Sequence, residues 1–99
     1  MDNFSVIYKI LRTLEKAMDC DEFDIKSIGA DVLGISENRW LAIMEMLITD
    51  GLVTGAKITN YLNNKRLINS DMRITLKGLE YLQDNTLMKK AHNLSLIHI

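Results

Sequence analysis

Cysteine is nearly absent from this 99-residue chain, where Cys20 stands alone. An internal disulfide is therefore excluded. No Cys or His accompanies it at metal-ligand spacing, which removes a structural zinc site. Histidine is almost as scarce, with only His92 and His98. No stretch approaches the roughly 20 apolar residues of a membrane-spanning helix. The opening MDNFSVIYK lacks a basic start followed by an apolar run, so it does not read as a secretory signal. Phosphate-binding loops and dinucleotide fingerprints are missing too. Together these absences predict a cytoplasmic protein with no metal, no small-molecule cofactor and no membrane contact. They leave catalysis little to work with. No Ser, Cys or carboxylate can be tied to His92 from sequence, and Cys20 lies among Asp19, Asp21, Glu22 and Asp24, which disfavour a thiolate nucleophile. The same acidic cluster lacks the ligand spacing and the glycine of an EF-hand loop. The expectation is a protein that is not an enzyme, with no catalytic residues.

What is present is an ordinary soluble composition, 47% apolar and 25% charged. The length suits one domain with a modest core. The formal net charge is −1 but is unevenly spread. Residues 1–50 carry ten acids and five bases, and residues 51–99 carry three acids and seven bases, so the halves are −5 and +4. A basic half can mark a nucleic-acid face, or two surfaces can simply differ.

Periodicity divides the chain. Phe4, Ile7, Ile10, Leu11, Leu14, Ala17 and Met18 fall at helical spacing, which predicts a helix over residues 3–19 capped by Asp2 or Asn3. Asp24 is placed to cap a short second helix with a stripe of Ile25, Ile28, Val32 and Leu33, ended by Gly34. Ser36 then caps a third helix, with Trp40, Ile43, Met44, Leu47 and Ile48 inward and Asp50-Gly51 at its end. Two helices joined by the tight Gly34-Ile35-Ser36 link outline a helix-turn-helix. After Gly51 the period changes. LVTGAKIT reads as a strand, Asn63-Asn64 as a turn, and RLIN with DMRIT as a returning strand with a bulge near Asn69-Ser70. Thr75 caps a helix through Leu79 and Leu82, Asn85 closes it, and Thr86 starts a last short helix, LMKKAHN.

Helix, helix, helix, two-stranded wing, helix is the order of an α+β winged helix-turn-helix. Gly78 fits that scheme. A glycine inside a helix costs roughly 1 kcal/mol against alanine, and close packing of the fourth helix on a neighbour would offset it. The resemblance narrows further. Tyr8-Lys9-Ile10-Leu11, Ser36 through Trp40, Asp50 through Gly55, and Ile74 through Leu82 resemble the YjcQ-like family of small bacterial and phage-encoded winged-helix proteins, over most of residues 4–92. The resemblance implies the fold and a longer C-terminal helix, and no settled activity. The final LSLIHI is one reading frame of a transposon end used in sequencing adapters. We therefore expect a single domain over residues 1–93 and a non-native tail at 94–99, which gives His98 no role.

In DNA-binding winged helices the third helix enters the major groove and the wing touches the backbone. On the third helix Asn38 and Arg39 lie in the first turn, types suited to adenine and guanine. Against this, Glu37, Glu45 and Asp50 outnumber Arg39 and leave the helix acidic. The wing is more favourable, with Lys57, Asn64, Lys65 and Arg66, and Arg73, Lys77, Lys89 and Lys90 add positive charge. The expected partner is duplex DNA, bound in a regulatory role. The alternative is a protein-interaction module or phage accessory protein that reuses the fold, docking a partner or forming a homodimer through the first helix, the C-terminal helix, or exposed Met46 and Leu62.

Overall fold

The structure, a computed structural model, describes residues 2–85. The last expected helix, at 86–92, and the tail at 94–99 lie outside the described residues. The order within them is α1 (Asn3–Lys16), a 3-10 turn (Ala17–Asp19), a 3-10 turn (Ile25–Ile28), α2 (Ala30–Leu33), α3 (Glu37–Thr49), β1 (Val53–Tyr61), β2 (Asn64–Ile74) and α4 (Leu76–Asp84). The two strands pair antiparallel, and the whole is a winged helix-turn-helix.

Local chemistry sets the boundaries. Asp2 caps α1, its carboxylate accepting the Ser5 N–H at 2.8 Å. The first helix tightens to 3-10 geometry at Ala17, ahead of the acidic turn. Its inner face differs from the predicted stripe. Val6 and Tyr8 are buried, whereas Phe4 and Met18 are 63% and 53% exposed. The second segment also departs from a single helix. It is a 3-10 turn, a break at Gly29, and one α turn; Ala30 is buried and Val32 exposed. Gly34 ends it in the left-handed region at φ 70°, as the sequence predicts. Ser36 Oγ accepts the Arg39 N–H at 3.1 Å and starts α3.

The core gathers α1, α3, the base of the wing and α4 around Val6, Ile10, Leu11, Leu14, Ile43 and Met44. Trp40 is buried there, its indole N–H donating to the Ile28 carbonyl at 2.7 Å. That bond fastens α3 to the 3-10 turn before α2.

The expected bulge is present. Thr54 pairs with Arg73 and Ala56 with Asn69, so Gly55 alone faces residues 70–72. Gly55 has φ +79°, and a Cβ there would lie 2.1 Å from the Asp71 carbonyl oxygen. Only glycine allows this crossing. The turn sits one residue earlier than predicted, at Leu62-Asn63, with φ 51° and 63° at the two central positions. Two positive φ values define the hairpin turn whose twist matches the strands.

Gly78 occupies the position its sequence context suggested. A Cβ on it would lie 2.4 Å from the Leu52 carbonyl oxygen and 2.6 Å from Ile74 Cγ1. Helix α4 therefore presses directly on the start of the wing. Thr75 secures the same junction: its hydroxyl donates to the Gly51 carbonyl at 2.6 Å and accepts the Gly78 N–H at 3.1 Å.

Candidate nucleic-acid interface

The face of α3 turned from the core presents Asn38, Ala42 and Thr49, all exposed, with half-buried Glu45 beside them. It is small and polar at its ends, and acidic at its centre.

Alternation along the wing assigns each basic residue to a side. Ala56, Ile58 and Asn60 share a face with Lys65, Leu67 and Asn69. Ala56 and Leu67 pack against the core, so this face looks toward the body of the domain. Lys57, Thr59 and Tyr61 share the other face with Asn64, Arg66 and Ile68. All of these but Thr59 are exposed. The neighbours Lys65 and Arg66 thus alternate between the two faces in register. Lys65 reaches across to α3, its Nζ 3.5 Å from Glu45 Oε1. Between this face and α3 runs a groove of about 400 Å³, bordered by Glu37, Leu41, Lys65 and Arg66. Lys57 and Arg66 have no ion pair among the described residues.

Two arginines are committed elsewhere. Arg39 Nε donates to Asn3 Oδ1 at 2.8 Å, tying the start of α3 to the start of α1. Arg73 is used more fully. Its guanidinium donates to the carbonyls of Ala17 at 2.9 Å, Cys20 at 3.3 Å and Asp21 at 3.0 Å, and its Nε to Asp71 at 3.1 Å. A cation just past the end of a helix opposes the negative end of the helix dipole, and here it also supplies donors to the turn that follows. Arg73 therefore fastens the base of the wing to the end of the first helix, and is no longer part of a basic surface. Sequence gave no sign of this, because the acceptors are backbone atoms more than fifty positions away.

The wing tip carries apolar surface. Tyr61 is 72% and Leu62 78% exposed. Met46, also expected outside, is exposed on α3. Lys77 lies apart from the wing, on the edge of a second groove formed by α1, α3 and α4. Among the described residues, no group of three or more His, Cys, Asp or Glu could hold a metal ion. No helix among them is long and apolar enough to cross a membrane.

The model of the YjcQ protein family matches residues 8–97. The chain belongs to the YjcQ family. The match spans all of the wing and α4, and extends into the segment read from sequence as a non-native tail. No curated protein and no solved structure gives a significant match.

Proposed function

We propose that this YjcQ-family chain is a non-enzymatic, cytoplasmic DNA-binding protein of bacterial or prophage regulation, gripping duplex DNA chiefly through its wing. The carrying observation is the exposed outer face of the wing, where Lys57 and Arg66 stand without ion pairs among the described residues. Lysine and arginine against phosphates supply most of the sequence-independent affinity for DNA. Asn64 lies on the same outer face, beside the turn. Asn38, exposed in the first turn of α3, is the side chain placed to reach a base edge, with adenine its natural complement. Arg39 acts on that contact from behind, through its bond to Asn3. Lys65 contributes less than its position in sequence suggests, because Glu45 competes with phosphate for it.

The test is fluorescence anisotropy of a random-sequence duplex titrated with the full chain. Two phosphate contacts, from Lys57 and Arg66, give a salt slope near −1.8, or about twelve-fold weaker binding on going from about 50 to 200 mM salt. Lys57→Ala/Arg66→Ala should abolish most of that dependence. No binding at low salt by a folded sample overturns the reading.

A second reading is favoured by Tyr61 and Leu62, large apolar side chains exposed at the wing tip. Solitary exposed apolar residues are common, but adjacent ones on a projecting turn suit insertion into a protein partner or a second copy of the chain. This reading predicts that Leu62→Ser, which removes the apolar tip without adding charge, abolishes a protein complex and leaves DNA affinity unchanged.

A further inference from the structure

Aromatic residues suit strands because the ring packs against its cross-strand neighbour. Tyr61 gains little in this way. It is the last residue of β1, its partner across the ladder is Asn64, and it is left 72% exposed. The outer face of the wing is built from cross-strand pairs: Lys57 with Ile68, Thr59 with Arg66, and Tyr61 with Asn64. Successive pairs on one face lie about 7 Å apart along the strands. From the base of the wing upward, this face therefore offers one cation, a second cation on the next pair, and an open aromatic ring beside the turn. Neither cation has an ion pair among the described residues.

That order of groups suits a single nucleic-acid strand. Phosphates meet the cations and a base meets the ring, a contact open to any sequence because every base has a π-face. In a continuous duplex each base is already stacked on both sides, so exposing one to the ring costs unstacking. An unpaired base beside a duplex end carries no such cost. Helix α3 points the same way. Glu37 is exposed and Glu45 half-buried, and their carboxylates repel the phosphates that flank a major groove. An uninterrupted duplex thus gains little from the insertion of α3. A protein partner at the tip would leave the two cations unused, whereas a nucleic-acid strand engages them together with the ring.

We propose that Tyr61 stacks on an unpaired base at a junction between duplex and single-stranded DNA, with Lys57 and Arg66 on the phosphates that lead to it. The proposal rests on the DNA-binding reading and makes the preferred ligand a tailed duplex instead of an uninterrupted one.

Anisotropy titrations with two probes test this, a blunt duplex and the same duplex carrying a short single-stranded thymidine tail. The full chain should bind the tailed probe at least about five-fold more tightly, the lower end of what stacking one base on an aromatic side chain contributes. Tyr61→Ala should remove that advantage and leave binding of the blunt probe within two-fold. Tyr61→Phe keeps the ring and should retain the advantage. Equal affinity of the unaltered chain for the two probes overturns the inference and leaves duplex binding standing. An advantage that Tyr61→Ala leaves intact, or that Tyr61→Phe abolishes, overturns it as well. Failure to bind either probe overturns the DNA-binding reading itself, and the inference with it. A check without substitution uses an iodouracil base in the tail. Irradiation should cross-link it to Tyr61 of the unaltered chain, and cross-links confined to other residues overturn the assignment.

Discussion

Single side chains and single hydrogens decide several features of this domain. Alanine normally stabilises a helix relative to glycine. At Gly78 the order reverses, because the added Cβ would meet the Leu52 carbonyl. Gly78→Ala should lower stability by about 2 kcal/mol, the usual scale of forced overpacking, read from urea unfolding. Leu62 presents the opposite case. It holds a left-handed conformation disfavoured by roughly 1 kcal/mol for an L side chain and buries little in return. Leu62→Asn should therefore raise the unfolding midpoint. A loss of stability there would mean that the leucine packs on something beyond the described residues. Asp2 gives a pH signature. The Ser5 backbone N–H it accepts holds its carboxyl below the ordinary carboxylate range. A folded pKa below the unfolded one means that unfolding takes up a proton. The cap therefore contributes fully above the ordinary carboxylate range, and its contribution is lost as pH falls through the folded-state value. Asp2→Asn keeps a capping oxygen and removes the titration. Its stability should match the parent at neutral pH and decline less steeply in acid.

At the scale of elements, the base of the wing is held more firmly than the tip. Arg73 joins β2 to the carbonyls at the end of the first helix, and Thr75 with Gly78 joins α4 to the residues before β1. Arg73→Lys keeps the charge but cannot reach three carbonyls and Asp71 at once. It should cost about 2 kcal/mol on the scale of hydrogen bonds to charged groups, read from the shift in thermal midpoint. An unchanged midpoint would mean that water replaces the guanidinium without loss. The elements themselves were largely legible in the sequence. Capping residues, Gly34, the change of period after Gly51 and the Thr75 cap each act within a few positions, and each marks its boundary correctly. Errors arose where distant contacts rule. The predicted stripes missed Val6, Tyr8 and Ala30 and included Phe4 and Val32, because which side of a helix is covered depends on what packs there. The turn was displaced by one residue because asparagine at positions 63 and 64 suggested it, while the register of β1 against β2 determines it. The basic residues of the site were visible from sequence, but their division between the two faces of the wing was not. Nor was the withdrawal of Arg73 into internal bonds.

Across the whole molecule, the contrast between an acidic first half and a basic second half is partly cancelled by the fold. Arg73 spends its charge on the end of the first helix, and Lys65 faces Glu45. The α3–wing face is therefore close to neutral, and its DNA affinity should be modest and easily raised. Glu45→Gln removes a like-signed obstacle to phosphate and frees Lys65. In anisotropy titrations it should tighten duplex binding several-fold and steepen the salt slope by about 1, the equivalent of one further phosphate contact. An unchanged slope would remove Lys65 from the interface. The bond from the Trp40 indole to the Ile28 carbonyl has an optical consequence. This is the chain's single tryptophan, and it is buried where α3 meets the turn before α2. Its emission colour is thus a built-in gauge of whether the helix-turn-helix is docked, with no dye attached and no second chromophore of its kind to confuse the reading. Leu41 and the wing residue Lys65 border the same groove as Trp40. A molecule entering that groove would change the light this one residue emits.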